Sequence, residues 1–508
     1  MPPERTVYRG AATIKFTIRL LVQLASQLAL LKSGTVFSLH NNPTSICTRA
    51  QTVTQPITNG QPEFEQRAQR LHEMAVNLFS SSEAKGKDDA LRAAKLLQDS
   101  VALHPTPQSL LNLSKLFMVA GLQETAIEWA EKCLDLSMIL CKSNVDAAHS
   151  SAYAEVALAS HRLLGQAHAH LAQYDRALPH LKQFHLGHPT DTANEFDLAY
   201  SLLALGQYEE GWSHYLVRYR PGFAVSGAKD LPKLPVLEWD GSNRALAGKS
   251  ILLVPEQGFG DEIHFARVAR NLRGLGARVW IMAQEPLRAL MRTLPWKERV
   301  VGTEWNGFEE ADLWTTALKA YALLGLNPYK EPACCPYLMP EPFRSAEIKQ
   351  KIHKHSTATH TGRCIDGEAT RLIGINWRGN AQHFNNEARS MSLEEFIAQV
   401  KADPTPQISK ARLFSVQMAP SEQELRVLDA HGIQNLAPHI ANFADLAAAL
   451  SCLDHLFTVD SAPAHLAGAL SIPTTLLVPP RIDWRWGTKE HRPPWYSSLQ
   501  VKEQTRFK

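Results

Sequence analysis

A seven-residue string in this chain returns 34 residues later, and that offset constrains the fold more than any other feature. Leu171-Ala172-Gln173-Tyr174-Asp175-Arg176-Ala177 recurs as Leu205-Gly206-Gln207-Tyr208-Glu209-Glu210-Gly211. Self-similarity at such a period marks stacked helical pairs, in which each unit buries its apolar stripe only against its neighbours. Two earlier units fit less well, one through Gly86, Ala90 and the His104-Pro105 stop, the other through Gly121 and Ala126. His188-Pro189 closes the third unit, and the long step from Gly121 to Ala172 calls for a longer first helix or connection. Small residues at Ala172 and Gly206 are read as letting two helices approach, with Tyr174 and Tyr208 filling the space between. A plain helical bundle is the alternative. The histidines here (His161, His168, His170, His180, His185, His188) make a metal site conceivable, but no pair of them has a carboxylate partner at obvious helical spacing, so surface or groove histidines are the plainer reading.

At 508 residues the chain predicts about three domains, each able to bury its own core. With 53 Lys+Arg against 50 Asp+Glu, nothing suggests a protein that lives on nucleic-acid phosphates. The first 62 residues hold six basic side chains and one acid, so the remaining chain is slightly acidic. Within that leader, residues 11–31 look superficially like a membrane span, but Lys15, Arg19, Gln23 and Gln27 recur every four residues along one helical face. A membrane span is not expected. A helix lying on a membrane surface, a transit-like peptide and a poorly ordered extension with one amphipathic helix all fit. The seven cysteines show no CxxC spacing, which argues against a disulfide framework or structural zinc and for a reducing compartment.

After the Leu231–Pro235 crossing the period changes. Ser250–Val254 is a short apolar run suited to a buried parallel strand, followed by a glycine turn, an amphipathic helix to about Leu275 and a strand at Ala277–Met282. The alternation runs on through Glu298–Thr316, halts in polar Arg344–Arg371, and resumes at Leu372–Trp377, Leu413–Val416, Leu456–Val459 and Thr474–Val478. The expected fold class is α plus α/β: a helical repeat solenoid followed by two Rossmann-like domains with a ligand crevice at the strand ends. The boundaries are leader and linker 1–62, repeats 63–220, linker 221–247, first Rossmann-like domain 248–345, linker 346–371 and second domain 372–508.

Three constellations sit at predicted strand ends. Gly258-Phe259-Gly260-Asp261-Glu262 lets backbone approach a ligand, and Asp261 either caps the helix or faces the cleft as a base. The loop from Trp377 to Ser390 carries Arg378, Asn380, His383, Asn386, Arg389 and Ser390; it could cradle a diphosphate or be a solvated loop. Asp460-Ser461 precedes a Pro463-led helix whose N-terminus suits a phosphate, while His465 is either a ligand or a satisfied core histidine.

With Trp239-Asp240-Gly241 and the tail Asp483-Trp484-Arg485-Trp486…Pro494-Trp495-Tyr496, these motifs resemble bacterial tetratricopeptide-repeat (TPR) proteins carrying a glycosyltransferase family 9-like, heptosyltransferase-like domain of GT-B fold. The resemblance covers roughly residues 110–500. It implies inverting sugar transfer from a nucleoside-diphosphate sugar as substrate, with no metal and no cofactor. Asp261 would be the catalytic base, with Gly258, Gly260, Arg378, Asn380, His383, Asn386, Arg389, Ser390, Asp460, Ser461, His465, Asp483, Trp484 and Trp486 on the donor side. Its indoles would stack on a sugar or base, or simply pack. Asn386 stands where the family usually has Asp, and the chain ends at Lys508, where relatives often continue into a bracing helix. The expected protein is a cytoplasmic enzyme, associated with the inner face of the membrane. Its partners would be a nucleotide sugar, a protein or polysaccharide-precursor acceptor, and a protein on the concave face of the repeats. A non-catalytic TPR adaptor with a degenerate GT-B domain is the rival.

Overall fold

The computed structural model describes residues 62–505 apart from 82–85, 144–145, 222, 224–230, 243–245, 332–333, 360–370, 384 and 405–410. The leader and its amphipathic stretch lie outside the described residues. Two compact units divide the chain, one ending at Asn194 and the other beginning at Glu195.

The described part of the first unit is helical: α1 (Pro62–Ser81), α2 (Lys87–Leu103), α3 (Pro107–Val119), α4 (Gln123–Lys142), α5 (Ala147–His170) and α6 (Tyr174–Gly187). Local chemistry sets these boundaries. Thr106 and Ser109 form a reciprocal capping box with Pro107 at the first helical position, and Asp146 caps α5 through the His149 amide. α5 is 24 residues long, the lengthened first helix that the repeat spacing called for. Consecutive helices share cores such as Ala90, Ala93 and Leu97 against Leu113, Leu116 and Phe117. Ala172 does not serve helix approach. It occupies the inter-helix turn at φ +56°, as Gly121 does at +76°. Close approach comes instead at Gly165, where an added Cβ would lie 2.6 Å from Leu181.

The second unit opens with α7 (Thr192–Ala204, which straddles the unit boundary) and α8 (Tyr208–Tyr215), the final helical pair, whose turn holds Gly206 at φ +74°. Two all-parallel sheets follow. The first has strands β1 (Leu237–Glu238), β2 (Ser250–Val254), β3 (Arg278–Ala283), β4 (Arg299–Gly302) and β5 (Leu313–Thr316) in the order β1-β5-β2-β3-β4. The second has β6 (Leu372–Asn376), β7 (Arg412–Ser415), β8 (Gln434–Asn435), β9 (His455–Val459), β10 (Thr474–Val478) and β11 (Leu499–Glu503) in the order β11-β10-β9-β6-β7-β8. In each sheet the order reverses once, between β2 and β5 and between β6 and β9. Crevices outside the strand ends at such reversals are where α/β folds take ligands. β2, β9 and β10 are buried at every residue, as strands covered by helices on both faces must be.

Helices α9 (Phe259–Phe265), α10 (Val268–Gly274), α11 (Glu285–Met291) and α12 (Ala317–Leu323) accompany the first sheet. α14 (Asn386–Arg389), α15 (Leu393–Ala402), α16 (Glu422–Ala430), α17 (Phe443–Leu450) and α18 (Ala462–Ala469) accompany the second. Part of the stretch read as a linker is helix α13 (Pro342–Thr359), which buries Ile348 and Ile352, one turn apart, and packs on α17. β1 likewise forms within residues read as linker. The two sheets' layers meet where α9 packs on α18.

Candidate active site

The chain leaves β2, turns through Gly258 and enters α9, whose first turn carries Asp261. The N-cap position is Gly258, so Asp261 is not the cap. Its Oδ1 receives Arg485 Nη2 at 2.8 Å. Arg485, which is 9% exposed, also reaches Asp483 Oδ1 through Nη1 at 3.0 Å and lies over the Trp484 ring at 4.5 Å. Tyr200 of α7 donates to Asp483 Oδ2 at 3.2 Å. With its carbonyl toward Arg218, Gln257 donates to Asp261 Oδ2 at 2.6 Å. Arg218 pairs with Glu256 at 2.9 Å, and Glu256 also accepts from Thr316 at 2.6 Å and Tyr219 at 3.0 Å.

The second sheet adds Asp460, at the end of β9, and Arg389, from the segment after β6. Asp460 Oδ1 accepts from Trp486 Nε1 at 2.9 Å. Burial, with Asp483 adding to it, pushes the Asp460 carboxyl up to about 6. Burial also raises Asp261, assisted by Asp483 and Glu256 and opposed by Arg485 and Arg218. Arg389 lies against Gly379, where a Cβ would come within 2.7 Å of its guanidinium. Its Nε is buried with no hydrogen-bond partner, in the field of Asp460, Asp483 and Asp261. A buried guanidinium donor without a partner is a group that an acceptor atom of a ligand would complete.

Several sequence-nominated residues do other work. Arg378 is turned away: Nε meets Glu424 Oε1 at 3.0 Å and Nη2 meets the Ala419 carbonyl at 2.6 Å, tying the loop to α16. Asn386 Oδ1 accepts from Ser390 Oγ at 2.9 Å, and Ser390 accepts from the Gly379 amide at 3.2 Å, so both side chains close the loop. An aspartate at 386 would accept the same bond. Asn380 caps its own turn through the Gln382 amide, and exposed His383 Nδ1 accepts from the Asn385 amide at 3.2 Å. Ser461 donates to the Val459 carbonyl at 3.0 Å and accepts from Asn376 at 3.1 Å, leaving its hydroxyl spent on the strand end.

His465 is the satisfied core histidine: buried, stacked on Trp486 at 4.8 Å and 3.2 Å from the Tyr496 hydroxyl, with burial holding it near 3. Trp484 and Trp486 are 1% and 3% exposed, the former edge-on to Trp212 and Tyr215 of α8, so the indoles pack rather than offer a stacking face. Gly258 is exposed at the turn, whereas Gly260 serves contact between the layers, since a Cβ there would sit 3.0 Å from His465.

The residues that sequence reasoning passed over are Arg485, Glu256, Gln257, Arg218 and Tyr200. Arg485 lay in plain view between Asp483 and Trp486. The repeat-region residues Tyr200 and Arg218 carry no local signal and join the site only through topology. Among the described residues, no group of three or more His, Cys, Asp or Glu side chains is arranged to hold a metal ion. In the first unit, His161 and His180 meet through their Nδ1 atoms at 2.8 Å, and burial lowers His180 to about 4. No described helix is long and apolar enough to cross a membrane.

No family model matches the chain. Protein FlbA of Caulobacter vibrioides is 26% identical over 393 residues, which is 72% of this chain and 59% of that protein. The chain thus spans under two thirds of that relative, whose name states no activity. Among solved structures, heptosyltransferase II of E. coli matches at 14% identity and TM-score 0.35 over 50% of this chain and 90% of its own. A family 9 glycosyltransferase of Veillonella parvula matches at 14% and 0.36 over 52% and 88%. The O-GlcNAc transferase of Thermobaculum terrenum matches at 14% and 0.26 over 82% and 84%. Identities and TM-scores this low decide nothing about what this chain does.

Proposed function

We propose that the chain is a glycosyltransferase that moves a sugar, with inversion, from a nucleoside diphosphate to an acceptor hydroxyl. The observation that supports it most is that Asp261, in the first turn after β2, acts electrostatically on Arg389 beyond β6, whose buried Nε has no hydrogen-bond partner. Asp261 removes the acceptor proton as that oxygen attacks the anomeric carbon, and burial makes its carboxylate a better base than an exposed one. The bond from that carbon to the diphosphate oxygen breaks, and the charge left on the diphosphate is met by Arg389. Arg485 and Gln257 orient Asp261, and Asp483 with Tyr200 orients Arg485. The repeats recruit a protein or polysaccharide-precursor acceptor, and the cytoplasmic face of a membrane is the natural setting for such a donor.

One observation favours the rival adaptor reading: both Asp261 oxygens already accept bonds, from Arg485 and Gln257. Thermal-shift screening with ADP-, GDP- and UDP-sugars, followed by donor hydrolysis on the wild type and Asp261→Ala, separates the two. The transferase reading predicts stabilisation by at least one donor that is lost in Arg389→Met and kept in Arg378→Gln. No shift with any donor would favour the adaptor.

A further inference from the structure

The adjacent Cys334 and Cys335 take no part in that chemistry. Both are free and half-buried. Cys334 lines an opening of about 30 Å³ with Arg267, Arg270, Tyr321, Glu331 and Trp495, room for a molecule the size of water or hydrogen peroxide. Arg267 is 7% exposed, and its N–H groups go to the His264 carbonyl at 2.9 Å, the Trp495 carbonyl at 3.0 Å and the Tyr337 hydroxyl at 3.3 Å. No carboxylate pairs with it among the described residues. Glu331, the acid at the opening, accepts from Asn271 at 2.9 Å. A buried guanidinium without a counter-charge is costly, and the neighbouring phenols cannot supply one, since burial raises Tyr321 and Tyr337 further from ionisation. The thiol pair can. A hydrogen bond from Cys335 and the charges of Arg267 and Arg270 bring Cys334 down to about 6, while that same bond and burial raise Cys335.

We propose that Cys334 is a nucleophilic thiolate that reacts with hydroperoxides, and that Cys335 resolves the product to a vicinal disulfide. The Cys334 sulfur attacks one peroxide oxygen, the O–O bond breaks, and the departing hydroxide takes a proton from solvent to leave as water. The Cys335 sulfur then attacks the Cys334 sulfenic sulfur, the S–O bond breaks, and a second water leaves with the Cys335 proton. Two thiols are oxidised by two electrons as one peroxide is reduced to two waters. Cys335 Sγ lies 3.7 Å from the Trp495 carbonyl. The site stands independently of the sugar-transfer reading.

The test uses the full-length chain. At pH 6 a thiol ionising near 6 is half thiolate against about 0.3% for an ordinary one, and its lower intrinsic nucleophilicity returns about tenfold of that gain. Iodoacetamide should therefore label Cys334 about tenfold faster than Cys141 or Cys452, whose thiols burial raises. Peroxide should remove two hydrogen masses from the peptide carrying both cysteines. Cys335→Ser should instead yield a dimedone adduct at Cys334, and Cys334→Ser should yield none at Cys335. Labelling of Cys334 at the rate of the reference thiols, or a peroxide-treated wild type whose peptide mass is unchanged, overturns the proposal.

Discussion

Replacing Arg485 by methionine keeps most of the side-chain stem and removes the charge that separates Asp261 from Asp483. Both carboxylates then face each other in a poorly solvated site, with Gln257 donating to Asp261, and Tyr200 and the backbone amide of residue 485 donating to Asp483. Breaking a buried ion pair from one side costs about 3–5 kcal/mol. The side chains of Asp261 and Asp483 keep 22% and 30% exposure, so the lower end, about 3 kcal/mol, applies. For a unit of this size that corresponds to a Tm lowered by roughly 3–6 °C at pH 8. The sign with pH follows from proton counts. Loss of the guanidinium raises both carboxyl pKa values in the folded state, so the folded mutant binds more protons than the folded wild type and its deficit shrinks as pH falls. The deficit should shrink by about half or more between pH 8 and pH 5. Differential scanning fluorimetry of wild type and mutant across that range measures it. An equal deficit at both pH values, or none at pH 8, would refute a charge-linking role for Arg485.

Other perturbations separate structural from ligand-facing groups. Glu424, held near 2 mainly by Arg378, the Ser421 amide and Trp377 against the upward push of burial, contributes stability above its unfolded pKa that is lost as pH falls toward 2. Glu424→Gln should thus lower stability at pH 7 and flatten the acid limb of a denaturant titration below about pH 4.5, leaving donor affinity alone. Arg389→Met should weaken nucleoside-diphosphate binding by roughly 10–100-fold in calorimetry, the worth of one charge-assisted contact, while leaving Tm unchanged or higher. At Gly468 an added Cβ would fall 2.3 Å from Tyr496, so Gly468→Ala should cost about 1–3 kcal/mol in urea unfolding.

Periodicity carried most of the architecture. The run Thr474–Val478 is a strand to the residue, because a five-residue segment of β-branched and apolar side chains bounded by turns has few alternatives in a parallel sheet. Edge strands β1 and β8, two residues each, and β11, which mixes Gln and Lys with apolar residues, lacked that signal. The site was legible as positions at strand ends but not as roles. Arg378 and Arg389 look equivalent in sequence, and only Glu424 and the Ala419 carbonyl, far along the chain, decide that the first is tied down while the Nε of the second has no partner. Trp484 and Trp486 read equally as stacking surfaces until α8, Asp460 and His465 cover them. Asp261 changed meaning for a similar reason, since its partner Arg485 comes from the other sheet.

Asp261→Asn keeps the shape of the side chain but removes its capacity to take a proton, together with its charge pairing to Arg485. On a donor sugar that stabilises the wild type, the account predicts that donor hydrolysis or transfer falls by roughly 10²–10⁴-fold with donor affinity nearly unchanged, while Tm falls through the lost Arg485 pairing. Turnover equal to that of the wild type would contradict Asp261 as the base.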